Sequence, residues 1–124
     1  MSDRDTIGLL ERFSAAWNAH DVEALLDCMT DDGIFQASAG PPPFGAAAVG
    51  RDALRQAYVS VWQTYPDAQW TRARHFAVGA DACSQWIFTG TKADGTRIEV
   101  EGCDLFTIRD GRIAVKNSFR KQVP

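Results

Sequence analysis

The chain has no long apolar run and no cluster of basic residues. None of its segments approaches the roughly 18 to 20 consecutive apolar residues that a membrane span requires, and the opening MSDRDTIG is too polar for a signal peptide. Its 13 Lys and Arg residues are dispersed and are outnumbered by 16 Asp and Glu residues, so the formal net charge is −3. We therefore expect a cytoplasmic protein that binds neither a membrane nor nucleic acid.

Cysteine and histidine are also scarce. Cys28, Cys83 and Cys103 form no CxxC pair and have too few neighbouring histidines for a zinc site. The chain also lacks HExxH, a phosphate-binding loop and GxGxxG. We interpret the cysteines as reduced, buried, small apolar side chains, and we expect no metal and no other cofactor.

The composition is that of one globular domain. The 124 residues are 45% hydrophobic and 23% charged, which are ordinary proportions for a soluble fold. A chain of this length buries roughly two thirds of the surface that its unfolded form exposes. No internal repeat or linker interrupts it, and we predict a single domain over residues 1–124.

Helical periodicity marks the first half of the chain. Apolar residues recur at three- and four-residue steps over 5–17 and again over 51–65. Between these segments, Asp21 is suited to cap a second, shorter helix. Pro66 ends the last segment, because the residue before a proline is disfavoured in a helix. The pattern predicts three helices.

Strand signals follow the second helix and dominate the second half. The turn residues 30–33 precede a predicted short strand at 34–37, and the Pro- and Gly-rich stretch 38–50 predicts a loop over at least part of its length, a candidate lid or rim. Beyond Pro66, segments rich in β-branched and aromatic residues alternate with Gly- and Asp-containing turns. The predicted long strands cover 69–78, 83–92, 96–109 and 112–120. Helices followed by a meander of strands predict an α+β fold with the helices on one face of the sheet.

Four short motifs are spread over nearly the whole chain. They are WNAHD at 17–21, TDDGIF at 30–35, GRDAL at 50–54 and DGRI at 110–113. In this order and spacing they resemble the SnoaL-like branch of the nuclear-transport-factor-2-like superfamily. The resemblance implies a cone-shaped α+β barrel of the cystatin-like type, with three helices packed on a strongly curved, mainly antiparallel sheet. It also implies a pocket on the concave face and a homodimer formed through the sheet.

The same resemblance leaves the activity open. Relatives of this type include polyketide cyclases, a ketosteroid isomerase, limonene epoxide hydrolase and dehydratases, and also transport and assembly proteins without catalysis, so function depends on the pocket. One hypothesis is a cofactor-independent acid/base enzyme that acts on a small apolar molecule. The other is a non-catalytic domain that binds a hydrophobic ligand or a protein partner.

Side-chain alternation in the third long strand singles out Asp104. Every second residue of a strand shares a face, and the even-numbered residues of 98–108 are otherwise apolar, with Gly102 leaving space beside the carboxylate. An unpaired buried charge is costly, so a carboxylate on this face needs a partner or a changed proton affinity. We predict that Asp104 transfers protons; the alternative is that it anchors the structure.

Three further side chains are candidates for chemistry beside Asp104. Asn117 shares the parity of the apolar residues in the last strand and is a candidate to orient water, at a place where the resemblance implies a functional Asp in cyclases and the epoxide hydrolase. His75 suits proton transfer if it faces inward, which the mixed alternation around it does not settle. Tyr58 is a candidate donor to a carbonyl or enolate oxygen. His20, between the first two helices, is interpreted as structural.

Aromatic residues are numerous enough to line an apolar cavity for a small molecule. The predicted ligand-binding side chains are Trp17, Phe35, Trp62, Trp86, Phe88, Phe106 and Phe119. Ordinary core packing is the alternative for each of them.

Overall fold

The computed structural model describes residues 1–123, which form three helices and six strands. The helices are α1 (Asp3–Ala19), α2 (Val22–Asp27) and α3 (Arg51–Thr64). The strands are β1 (Met29–Gln36), β2 (Ala47–Val49), β3 (Gln69–Val78), β4 (Asp81–Thr91), β5 (Arg97–Arg109) and β6 (Arg112–Arg120). The predicted α+β class is confirmed, and within residues 1–123 no helix is long and apolar enough to cross a membrane.

Side-chain caps set the starts of the first two helices. Ser2 Oγ accepts a hydrogen bond from the Asp5 backbone N–H at 3.0 Å, and the Asp5 carboxylate accepts one from the Ser2 backbone N–H at 3.1 Å. This capping box begins α1 at Asp3, two residues before the periodic segment 5–17 that predicted the helix. Asp21 accepts from the Ala24 N–H at 3.1 Å and caps α2, as the sequence predicts.

The six strands form one sheet in the order β2-β1-β6-β5-β4-β3. Only the β1–β6 pair is parallel within the described residues; the other neighbours are antiparallel. The β4–β5 ladder runs from Asp81 opposite Thr107 to Thr91 opposite Arg97 without an irregularity. The sheet is curved, and the helices pack on its concave inner face.

One local prediction at the first strand was wrong, and a second was confirmed in part. The predicted turn 30–33 lies inside β1, whereas the stretch 38–50, predicted as a loop at least in part, contains the short strand β2 and is otherwise irregular. Both differences come from partners distant in sequence: Met29 and Ile34 pair with β6 across a register irregularity, and Ile34 also pairs with Val49 of β2. Ladder hydrogen bonds therefore outweigh the turn preference of the Asp and Gly residues.

The core lies between the helices and the inner face of the sheet. Phe13 of α1 packs edge-to-face on Phe106 of β5, with ring centres 5.9 Å apart. On the outer face of the sheet, four large apolar side chains are 47% to 71% exposed. They are Phe76, Val78, Leu105 and Phe119.

Candidate active site

A cavity of about 500 Å³ opens between α1, α3, β2 and the inner face of the sheet. Its aromatic walls are Trp17, Phe35, Tyr65, Trp70 and Trp86. Alanines of the 37–48 segment form part of its rim. Its charged lining residues are Lys116 and Arg120, and no Asp or Glu among the described residues lines it. The cavity is thus apolar in its walls and cationic along one strand.

Strand β6 presents alternate polar side chains to this cavity, and they are Lys116, Ser118 and Arg120. A β-bulge causes this facing. Thr107 lies opposite Val115, whereas the next residue, Ile108, lies opposite Ile113, so Ala114 is an extra residue that reverses the alternation.

The bulge overturns the predicted facing of two site residues. Asn117 lies opposite the half-exposed Leu105 and away from the face of Asp104. Phe119 is 48% exposed and lines a separate depression of about 490 Å³ on the outer face. Neither side chain lines the aromatic cavity, because one added residue in a strand exchanges its two faces.

Asp104 lies on the inner face, as the alternation predicts, but it is enclosed by donors. Its Oδ1 accepts from Lys116 Nζ at 3.0 Å and from the Ser118 hydroxyl, and its Oδ2 accepts from Trp86 Nε1 at 3.0 Å. The Lys116 and Asp104 side chains are only 7% and 8% exposed. Asp104 lines a small adjoining space behind the cavity wall, with Lys116 between that space and the cavity.

Lys116 contacts both polar and aromatic groups. Its ammonium donates to Ser118 Oγ at 2.7 Å as well as to Asp104. The same nitrogen lies 4.6 Å from the ring centre of Phe35 and 5.3 Å from that of Trp17. Aromatic faces attract a cation at these distances, and the ion pair fixes the ammonium where it also lines the cavity.

Gly102 does not leave open space beside Asp104. A Cβ atom at this position would lie 2.5 Å from the indole ring of Trp86, its cross-strand partner. The indole therefore occupies the volume that a larger residue would fill. Glycine is required here for packing, because it lets Trp86 lie flat enough against β5 for its Nε1 to reach Asp104.

His75 faces inward but does not reach Asp104. It belongs to a row of cross-strand partners that continues through Ser84 and Asp104 to Ser118. Its Nδ1 lies 2.7 Å from Ser84 Oγ, and burial lowers the pKa of His75, with the Glu11 carboxylate opposing this effect. No hydrogen bond within residues 1–123 joins Ser84 to Asp104, and His75 does not line the cavity.

Tyr58 is part of the core. It is fully buried, and its hydroxyl donates to Met29 Sδ at 3.0 Å. Burial raises the pKa of Tyr58 well above its ordinary value, and the nearby Asp104 charge adds to the effect. The ring supports two cavity walls, Phe35 and Trp17, at centre distances of 5.4 and 4.8 Å.

The predicted aromatic lining is divided between cavity and core. Trp17, Phe35 and Trp86 line the cavity. Trp62 stacks on His20, and Phe88 and Phe106 are buried in the core. Sequence reasoning did not assign several other lining residues, among them Tyr65, Lys116, Ser118 and Arg120. The polar alternation of the last three marks one face of β6 as distinct, but it does not indicate that this face points inward.

The described residues gather no metal site. No group of three or more His, Cys, Asp or Glu side chains within residues 1–123 could hold an ion. All three cysteines are free. Cys28 is buried as expected, whereas Cys83 and Cys103 are only partly buried, and desolvation raises the pKa of Cys83 to about 11.

Comparison with known proteins identifies the relatives of this architecture. The family model described as SnoaL-like domain matches residues 10–116. A structure described as a candidate polyketide cyclase from Xanthomonas campestris is 20% identical with a TM-score of 0.84, and the match covers 94% of this chain and 90% of that one. A nuclear-transport-factor-2-like protein of unknown function from Mesorhizobium loti is 27% identical with a TM-score of 0.78, covering 97% and 93%.

A third similar structure was crystallised together with a small molecule. It is the protein TerC co-crystallised with polyporic acid, which is 16% identical with a TM-score of 0.80 and covers 94% of this chain and 92% of its own. At identities this low, the structural similarity establishes a common fold and nothing finer. No curated protein sequence matches the chain.

Proposed function

The chain belongs to the SnoaL-like domain family, and from this premise we propose that it is a cofactor-independent enzyme that performs acid/base chemistry on a small, mainly apolar carbonyl compound. The observation that carries the proposal is the buried cluster of Lys116, Asp104 and Ser118, two of whose members line an aromatic cavity. Isomerisation, cyclisation and dehydration are the reactions of this class open to a carbonyl compound, whereas epoxide opening, the fourth reaction that the resemblance implies, requires an epoxide. Each of them needs a proton donor or acceptor beside an oxygen that gains negative charge.

Lys116 is suited to stabilise that oxygen. As an ammonium in a salt bridge it has three N–H donors, two of which are directed to Asp104 and Ser118. The third has no partner within residues 1–123. Aromatic walls exclude water around it, and in such surroundings a preorganised donor stabilises a developing oxyanion far more than it would in water.

Ser118 is suited to carry the proton. Its hydroxyl donates to Asp104 and lines the cavity, whereas Asp104 does not line it. A substrate C–H proton can pass to Ser118 Oγ while the hydroxyl proton of Ser118 passes to Asp104, which leaves a neutral carboxylic acid and an enolate beside Lys116. Asp104 is then the final acceptor, and Ser118 is the group that touches the substrate.

The alternative is a non-catalytic domain that binds a hydrophobic ligand, and one observation favours it. Both oxygens of Asp104 accept hydrogen bonds from the protein, as expected of a carboxylate that holds three strands together. Under this hypothesis the cluster is a structural anchor, and the cavity only binds.

An exchange experiment separates the two functions. The α-protons of 2-tetralone, a bicyclic ketone, are followed by NMR in heavy water, and its binding by tryptophan fluorescence. We expect exchange faster than in buffer, with Ser118→Ala lowering the rate by about 100-fold or more. Ser60→Ala is the matched control, because Ser60 also lines the cavity but its hydroxyl donates to the Ala57 carbonyl at 2.6 Å.

Two outcomes would contradict the enzyme. If 2-tetralone binds but exchanges at the rate of buffer, the non-catalytic hypothesis replaces it. If Ser118→Ala and Ser60→Ala exchange equally fast, the proton does not pass through Ser118.

We also propose that a second copy of the chain covers the outer face of the sheet. Phe76, Cys83 and Leu105 lie side by side across β3, β4 and β5, and Phe119 lies opposite Cys103 on the same face. Exposed apolar patches of this kind are sites of association, and the family resemblance implies pairing through the sheet.

A further inference from the structure

One cation in the cavity wall has no protein partner. Arg120 lines the cavity and, at the edge of the sheet, also the outer-face depression that Glu101 lines, but within residues 1–123 its guanidinium forms no salt bridge and no side-chain hydrogen bond. It is nevertheless held in place, because the guanidinium carbon lies 4.8 Å from the ring centre of Phe88 and 6.0 Å from that of Tyr65. The guanidinium thus lies beside two aromatic rings, and no carboxylate within residues 1–123 accepts from its N–H donors.

The charges around the cavity leave this cation uncompensated. Lys116 and Arg120 are the charged residues that line it. Asp104, immediately behind the wall, neutralises Lys116 at 3.0 Å. One positive charge therefore remains, at Arg120. Partly desolvated charges are stabilised by an opposite charge, so the complementary ligand has one negative charge.

The positions along β6 order the ligand within the cavity. Lys116 and Arg120 share a strand face and are four residues apart, so their Cα atoms are separated by about 13 Å at roughly 3.3 Å per residue. Ser118 lies between them and also faces the cavity. An anionic group held at Arg120 would direct the rest of the molecule along the aromatic walls toward Ser118 and Lys116.

We propose that the cavity binds a small organic carboxylate with an apolar body, its carboxylate paired with Arg120 and its other end directed to Lys116 and Ser118. The planar guanidinium matches a carboxylate with two parallel hydrogen bonds, and its contacts with the Phe88 and Tyr65 rings reduce the ordering that binding requires. The inference deepens the proposed function by naming the substrate class. It rests on that function only for the proton transfer at Ser118, because carboxylate binding at Arg120 requires no catalysis.

Binding of two isosteric probes tests the inference. The ligands are 2-naphthoate and its neutral counterpart 2-naphthamide, followed by quenching of the fluorescence of Trp17, Trp70 and Trp86, which line the cavity. We expect naphthoate to bind the native protein about 10- to 100-fold more tightly than naphthamide, the range that hydrogen bonds to charged groups contribute. The preference should decrease as ionic strength rises.

Two variants locate the preference. Arg120→Gln keeps a polar side chain, removes the charge and breaks no salt bridge within the described residues, and we expect it to bind both probes equally. Lys121→Gln is the matched control, because the adjacent Lys121 is 74% exposed and pairs with Glu101; we expect it to retain the full preference. Circular dichroism and thermal unfolding establish that both variants are folded.

The inference fails if the native protein binds naphthamide as tightly as naphthoate, if it binds neither, or if Arg120→Gln keeps the preference. These measurements involve no turnover. Naphthoate selectivity in a protein that does not exchange 2-tetralone protons would therefore overturn the enzyme and support the anion site. Proton exchange without naphthoate selectivity would support the enzymatic function and overturn the anion site at Arg120.

Discussion

Removing the charge of Asp104 is the sharpest perturbation of the candidate site. In Asp104→Asn the Lys116 side chain, which is only 7% exposed in the native protein, loses its carboxylate partner. Breaking a buried ion pair from one side costs about 3 to 5 kcal/mol, since the remaining charge is desolvated without compensation. That is a large part of the roughly 5 to 15 kcal/mol by which a domain is stable.

A surface pair of similar geometry provides the control. Arg55 and Glu23 lie 2.9 Å apart, compared with 3.0 Å for Lys116 and Asp104, but their side chains are 39% and 63% exposed. Pairs in this setting contribute about 0 to 1 kcal/mol. Glu23→Gln should therefore leave stability nearly unchanged, although it removes the same chemical interaction.

The double variant separates charge from volume. In Lys116→Met combined with Asp104→Asn no buried charge remains, and the amide oxygen can still accept from Trp86. We expect the double variant to be more stable than the sum of the two single losses predicts, with an interaction energy of about 2 kcal/mol or more.

Urea unfolding followed by far-ultraviolet circular dichroism at pH 7 gives the free energy of unfolding of the native protein, of Asp104→Asn, Lys116→Met and Glu23→Gln, and of the double variant. Equal losses in Asp104→Asn and Glu23→Gln would show that the buried pair is solvated, and additive single losses would show that Lys116 and Asp104 do not interact. Either result would refute the reasoning on which the candidate site depends.

Three more predictions concern packing, pH and assembly. Gly102→Ala should displace the Trp86 indole, because the new Cβ would lie 2.5 Å from its ring, and should lower the melting temperature and shift the tryptophan emission. Lowering the pH through about 6.5, the ordinary pKa of histidine, should destabilise the native protein more than His75→Gln. Burial lowers the pKa of His75 in the folded state, so the unfolded chain binds more protons below pH 6.5 and is favoured there. Parallel pH profiles of stability would contradict this. Leu105→Glu with Phe119→Glu should convert a dimer to a monomer in light scattering, and a native protein that is already monomeric would exclude the proposed pairing.

The facing of Asp104 was predictable because β5 obeys simple alternation. Its ladder with β4 has no irregularity from Arg97 to Thr107, so residue parity along the strand translates directly into facing. The same argument failed on β6. Ile113, Ala114 and Val115 are apolar on both parities, so nothing in the pattern marks the bulge that moves Asn117 outward and Lys116 inward.

The partners of Asp104 were not predictable for a different reason. Trp86 and Lys116 are 18 and 12 residues away in sequence and come within hydrogen-bonding distance only in the folded sheet. Burial of Asp104 was inferred from its apolar neighbours in the strand, but whether it would be an exposed base or an enclosed ion pair depended on these remote donors.

By itself the sequence determined the helices, the long strands and the α+β class, because these follow from local periodicity, capping residues and turn chemistry along the chain. The order and spacing of its four short motifs carried the resemblance to the family. The tertiary structure decided which side chains line the cavity. Strand register, a single extra residue in β6 and the packing of Trp86 over Gly102 bring Lys116, Ser118 and Arg120 to the cavity wall. These are properties of contacts between distant segments, and local patterns do not encode them.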